Sequence, residues 1–366
     1  MSNQTICFFN STQSWGGGEK WHYEMATYLH EKGLKVLVVV SPNSELQKKL
    51  KAKQVPTECI SVGNLSFLNP FKIAKVHSFY KKYNVTTVVL NSSEDMKLGG
   101  LAGNRANLKR IIYRRGSAIP IKDKSINRYF FKNVLTEVLA NSEATKATIN
   151  AKNSEIFPNE KITVIPNGID TASFLEKSYQ PLYEKQESEF VIGNLGRLVT
   201  QKNQTFLLDV TKELLNKGLP IKLVIGGSGT LENELKEKTN NLGIKDNVVF
   251  TGFVNNPKDL MCSCDVFVLS SLWEGFGYVI AEALLCEKPV VAFDISSNPE
   301  LVKDNKNGFL VPLNDVEVFC DKIQFYYENK EKIEQMGKQG KAQIIAENDI
   351  KVIFARVENY LTKGIV

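Results

Sequence analysis

Four charged side chains in the second half of the chain, Arg197, Lys202, Glu274 and Glu282, have the types and spacing to hold an extended anionic ligand. Glu274 precedes Gly275-Phe276-Gly277, and Tyr278 opens an apolar stretch of helical period that carries Glu282. A strand, a glycine turn and a helix start coincide there. The unpaired N–H groups and partial positive charge of a helix N-terminus favour phosphate or sugar oxygens. Glycines let a ligand approach the backbone, and a carboxylate accepts from paired sugar hydroxyls. At about 1.5 Å of rise per residue, the two glutamates lie on the order of 10 Å apart and reach different parts of one ligand.

Arg197 and Lys202 follow Gly193–Gly196, where a strand closes. Two cations beside a turn suit a diphosphate, whose charge grows as it departs. A third glycine turn, Gly16-Gly17-Gly18, follows the first strand of the chain, and Gly226–Gly229 follows a later one. Neither is the dinucleotide fingerprint, because G-x-G-x-x-G is absent. Both read as backbone approach sites or tight turns.

Residues 109–132 hold eight basic side chains against one acid, Asp123, with Tyr113, Tyr129, Phe130 and Phe131 interleaved. That composition fits an anionic lipid surface, a phosphorylated acceptor, nucleic acid or a solvated face. No nucleic-acid motif accompanies it. Arg114 and Arg115 end a strand and are candidates to reach an acceptor. His22, His30 and His77 show no metal spacing, and no Ser-His-Asp set, P-loop or HExxH is present.

These residues need a scaffold of alternating strands and helices. A chain of 366 residues suits two domains. Short β-rich runs at 6–9, 36–40, 87–90, 110–113, 138–140 and 162–165 alternate with amphipathic stretches, and a second series starts at Phe190. This pattern predicts two parallel sheets covered by helices on both faces. Residues 1–170 form the first domain, 171–189 a polar linker and 190–343 the second domain, with 344–366 joining the first. Ligands in open α/β sheets bind at the switch point beyond the carboxyl ends of the strands. A net charge of +6 selects no partner. The apolar runs are strand-length, and the N-terminus lacks the pattern of a signal peptide, which predicts a cytoplasmic protein. The six scattered cysteines read as small buried hydrophobes in a reducing compartment.

Taken together, Gly193–Lys202, Glu274–Glu282 with its internal glycines, Ile165–Asp170, and Pro299–Leu301 with Gly308–Leu310 resemble the retaining glycosyltransferases of family 4. The resemblance covers nearly the whole chain and is looser in the first half. It implies a GT-B fold, two Rossmann-like doubly wound domains facing across a cleft. It also implies a nucleotide-sugar donor, retention of anomeric configuration, and neither metal nor cofactor. The acceptor would be a glycan or lipid-linked hydroxyl, in envelope polysaccharide or lipopolysaccharide synthesis. Peripheral contact with the inner membrane surface is expected, and nucleic acid is not. By the same resemblance Arg197 and Lys202 neutralise the donor diphosphate and Glu274 binds the sugar. Gly275, Phe276, Gly277 and Tyr278 lie beside it, Glu282 meets the ribose, and Gly17 and Gly18 approach the phosphate. Many relatives place a histidine after the strand at 111–116, where this chain has Arg114 and Arg115. A nucleotide-sugar epimerase and a non-catalytic nucleotide-sugar binder of the same fold are the alternatives.

Overall fold

The computed structural model describes residues 4–363, which form two compact units. Among the described residues, one comprises 4–167 with 353–363, the other Gly168–Val352.

The first unit is built on a parallel sheet. Its strands are β1 (Thr5–Asn10), β2 (Lys35–Val40), β3 (Thr57–Cys59), β4 (Val85–Leu90), β5 (Arg110–Arg115), β6 (Glu137–Ala140) and β7 (Ile162–Val164), in the order β3-β2-β1-β4-β5-β6-β7. The second unit has β8 (Phe190–Leu195), β9 (Ile221–Gly226), β10 (Val248–Gly252), β11 (Val266–Leu269), β12 (Val290–Phe293) and β13 (Gly308–Val311), in the order β10-β9-β8-β11-β12-β13. Helices cover both faces, so the central strands are continuous apolar runs instead of alternating ones. β1 and β8 are buried at every position. In each sheet the strand order reverses beside the first strand, between β1 and β4 and between β8 and β11. Those two reversals are where loops splay apart and leave room for a ligand.

Three details depart from the sequence expectation. β3, only three residues long and partly exposed, carries no readable alternation. Residues 171–189 are not a free linker. Asp170 caps a helix at Thr171–Glu176 by accepting from Ser173 N, and Phe174 is buried in the second unit's core. The C-terminal stretch is two helices, Lys330–Asn348 and Ile350–Lys363. From the second of these, Ile353, Val357, Tyr360 and Leu361 pack in the first unit's core with Ile6, Val38 and Trp21. Arg110 Nη1 donates to the Tyr360 and Leu361 carbonyls at 2.7 and 2.9 Å, and Lys32 meets Glu358 at 2.6 Å.

Cys7, Cys264 and Cys320 are buried as expected of small apolar side chains, whereas Cys59, Cys262 and Cys286 are half-buried.

Candidate functional site

The second unit gathers three loops at its switch point. After β8 a short turn at Thr200–Lys202 leads through Asn203, in the left-handed region at φ 49°, into the helix Gln204–Asn216. After β11 the chain runs through Ser270–Phe276 to Gly277. This residue has φ 84°, where a side chain would be strained, and it precedes the helix Tyr278–Leu285 without side-chain capping. The first two loops are stitched together. Ser270 Oγ donates to Lys202 O at 2.9 Å, and Leu272 N donates to Gln201 O at 2.8 Å. Gln201 Nε2 adds a bond to Trp273 O, also at 2.8 Å. The third loop follows β12. Its Ser296 Oγ accepts from Glu274 N at 3.1 Å and donates to Glu274 O at 2.5 Å.

These bonds bring Lys202 Nζ to 2.5 Å from Glu274 Oε1, with side chains only 14% and 10% exposed. Two residues 72 positions apart thus form one ion pair across the reversal of the sheet. A charge this far out of water is costly unless paired. Lys202 holds three N–H donors, so two remain beyond the carboxylate for another acceptor. Arg197 is exposed, and its guanidinium makes no hydrogen bond or ion pair among the described residues. Glu282 is half-buried on the helix that Gly277 opens. Gly275 is half-buried, whereas the Phe276 ring lies in the core against Tyr278, 5.0 Å between ring centres. Only the Phe276 backbone is therefore available to a ligand.

Buried polar atoms without partners mark the same place. Asn194 Oδ1, Gln204 Oε1, Ser271 Oγ, Ser297 Oγ and Asn298 Oδ1 have none within the protein. They belong to β8 or to segments that follow β8, β11 and β12. Unpaired buried polar atoms are rare in folded proteins, and their concentration here describes a seat for a polar ligand. Sequence reasoning missed these five; the signal was Asn, Ser and Gln at or just beyond strand ends. The Gly226–Gly229 turn has another explanation. A Cβ on Gly227 would sit 1.9 Å from Gly196 O and one on Gly229 2.3 Å from Leu198 O, so these glycines let two chain segments touch.

The first unit carries its own polar switch point. Gly16 precedes the helix Gly17–Glu31 with no side-chain cap, and Asn91, just after β4, donates to Glu19 Oε1 at 3.0 Å. A Cβ on Gly18 would meet Asn91 Oδ1 at 2.7 Å, whereas Gly17 faces open space. Gly18 therefore serves packing, and Gly17 leaves a helix N-terminus accessible to an anion. Arg114 departs from the expected acceptor role. It is 3% exposed, donates to Asn167 Oδ1 at 2.8 Å and stacks over Trp21 at 4.4 Å. Beside it, burial first and the Arg114 charge second hold the His22 imidazole well below the usual histidine range. Arg115 Nη2 donates to the Ser117 and Ile119 carbonyls at 3.2 and 2.5 Å and so shapes the loop after β5. The basic stretch is not one face either. Arg110 is tied to Glu137 at 2.6 Å and Arg128 to Asp123 at 2.6 Å, while Lys109, Lys122, Lys124 and Lys132 are exposed. Among the described residues no group of His, Cys, Asp or Glu could hold a metal ion, and no helix is long and apolar enough to cross a membrane.

Two Rossmann-like units in one chain, the second with a paired cation and carboxylate at its switch point, define a GT-B architecture. Residues 177–343 match the model of glycosyl transferases group 1, and residues 15–173 match that of glycosyltransferase family 4. The chain belongs to the family 4 glycosyltransferases. A UDP-Gal:alpha-D-GlcNAc-diphosphoundecaprenol alpha-1,3-galactosyltransferase of Escherichia coli is 29% identical over 76% of this chain and 75% of its own length. An N-acetylgalactosaminyltransferase of Campylobacter jejuni, acting on a diphospho-undecaprenol-linked sugar, is 32% identical over 53% of this chain and 54% of its own. HepE of Anabaena, solved in complex with UDP, shares the fold with a TM-score of 0.82 over 98% of this chain and 100% of its own, at 23% identity.

Proposed function

We propose that this glycosyltransferase retains anomeric configuration and moves a sugar from a uridine-diphosphate donor to a hydroxyl of a glycan or lipid-linked acceptor. The setting would be envelope polysaccharide or lipopolysaccharide synthesis, with peripheral contact at the membrane surface. The observation that carries this reading is the Lys202–Glu274 pair at the β8/β11 reversal, with Arg197 exposed nearby in sequence. The UDP-galactose donor of the Escherichia coli relative and the UDP bound by HepE support the nucleotide. Their undecaprenol-linked substrates support the acceptor class.

In this mechanism Arg197 and Lys202 bind the donor diphosphate, and Glu274 accepts from the sugar hydroxyls. Glu282 accepts from the ribose, and the backbone of Gly275–Gly277 frames the sugar. Gly17, which the family resemblance assigns to the donor phosphate, opens a helix whose N-terminus is accessible to an anion. The acceptor oxygen attacks C1 on the face that the phosphate leaves. The C1–O bond breaks, the new C1–O bond forms, and the hydroxyl proton passes to a departing phosphate oxygen. Charge develops on that phosphate, and fixed cations aimed at it supply several kcal/mol without a separate base. On this reading the two cations supply the charge that a divalent ion would otherwise supply, and the reaction needs no metal or cofactor. Arg115 remains the acceptor-side candidate in the first unit.

The test is a screen of common nucleotide-sugars for binding and hydrolysis by the whole chain. UDP-sugars should bind and release UDP slowly without acceptor, faster with a polyprenyl-diphosphate sugar. Free epimerised sugar as the main product, or binding with no turnover on any acceptor, would overturn the transferase reading.

A further inference from the structure

Phe71, Leu65 and Leu68 are 84%, 70% and 64% exposed, three of the four most exposed large apolar side chains described. They fall within seven residues of one another, Leu65 and Leu68 between β3 and the helix Pro70–Lys82 and Phe71 in that helix's first turn. Their neighbours point inward: Ser66 and Ile73 are buried, and Phe67 packs edge-on against Phe130 with ring centres 6.0 Å apart. The projection is therefore anchored and shaped. Asn69 caps the helix, accepting from Phe71 N and Lys72 N at 3.0 and 3.2 Å, and Pro70 fixes the first helical position. Lys72 Nζ donates to Ser61 O at 2.7 Å beside a groove of about 520 Å³ lined by Asn64, Leu65 and Asn69.

Exposed apolar tips of this kind mark an interaction surface. The surrounding charge indicates what covers it. Residues 60–93 contain no Asp or Glu, but they include Lys72, Lys75, Lys81 and Lys82. Lys97 lies 5.8 Å from the centre of the Phe67 ring. Through Phe67 and Phe130 the tip also adjoins the helix Ser125–Asn133, where Ile126 and Tyr129 are 37% and 48% exposed and Lys132 is exposed. Glu58 pairs with Lys75 at 3.3 Å, whereas Lys72 meets only the Ser61 carbonyl and the Ser66 hydroxyl, so cations outnumber acids around the apolar tip, as the acyl boundary and headgroups of an anionic bilayer require.

We propose that Leu65, Leu68 and Phe71 form a membrane-docking tip that inserts into an anionic lipid surface, with Lys72 and Lys75 at headgroup level. This deepens the membrane contact proposed above by naming its surface. It involves no donor chemistry, so the two readings fail separately.

The test is co-sedimentation of the nucleotide-free chain with vesicles of 30 mol% phosphatidylglycerol in phosphatidylcholine and with phosphatidylcholine alone. Wild type should partition to the anionic vesicles, with a loss of about tenfold or more between 0.1 and 0.5 M salt. L68E/F71E should lose about tenfold or more while its melting temperature and donor hydrolysis stay at wild-type values. K72A/K75A should bind more weakly with a shallower salt dependence. No wild-type binding to the anionic vesicles, or unchanged binding by L68E/F71E, would overturn the proposal. So would a wild-type dimer in light scattering that L68E/F71E dissolves while vesicles bind neither.

Discussion

Replacing Lys202 with alanine separates two things the residue does. In the folded protein its ammonium sits 2.5 Å from Glu274 with both side chains almost out of water. Removing it leaves a carboxylate on a residue 8% exposed, and breaking such a pair costs about 3–5 kcal/mol. The residual exposure puts the expected loss near 3 kcal/mol. For a unit of this size that lowers its melting temperature by roughly 6–12 °C. K202A/E274A should recover much of that loss, because the stranded charge is gone. Turnover should behave differently. A cation aimed at a departing phosphate is worth about 10²–10³ in kcat, and neither variant regains it. The assay is donor hydrolysis at a temperature where K202A is fully folded, with donor binding measured beside it. Turnover should fall much more than affinity. Equal losses in kcat and binding would refute a transition-state role, and an unchanged melting temperature would refute the structural one.

The glycines give a second set of outcomes. Gly17→Ala adds a methyl to open space, so stability should hold or rise while the donor KM increases. Gly18→Ala would strike Asn91 and should lower the melting temperature as well. Gly227→Ala, at φ 131° with Gly196 O in the way, should destabilise the second unit by about 3 kcal/mol or more. Calorimetry distinguishes the three. Asp95 supplies a pH dependence. Burial outweighs its hydrogen bonds from Ser11 and Ser92 and lifts its carboxyl from 3.8 to about 6. A folded pKa raised above the unfolded value gives stability that is full below about pH 4 and lost as pH rises through 6. The stability difference between wild type and Asp95→Asn, from urea midpoints, should shrink by about 3 kcal/mol from pH 4 to 7. A flat difference would show the carboxyl titrating normally.

What could be read from the residues, and what could not, follows from range. The buried strands of a parallel sheet are apolar runs, so β1, β2, β8 and β11 announce themselves. β3 is too short for a period to show. The helix Ser93–Arg105 is masked by Gly99, Gly100 and Gly103, poor helix formers. Gly99 is needed because a Cβ there would press within 3 Å of Leu90 and Phe9. Residues 171–189 look like a linker because their polarity hides one buried Phe174. Arg197, Lys202, Glu274 and Glu282 were legible because glycine turns at strand ends locate ligand loops. The ion pair between Lys202 and Glu274 was not, since 72 residues separate the partners and only folding sets their distance. Arg114 shows the opposite limit. A strand end places a residue near a site, but successive side chains point to opposite faces, and Arg114 turned onto Trp21.

The central claim, that the β8/β11 switch point holds a nucleoside diphosphate, is tested most directly by titrating wild type and Arg197→Ala with UDP and UMP in a calorimeter. Wild type should bind UDP at least about tenfold more tightly than UMP, since the second phosphate meets two cations. Arg197→Ala should remove most of that gap while leaving UMP affinity nearly unchanged. Equal affinity for UDP and UMP in wild type, or a gap that survives the loss of Arg197, would contradict the account.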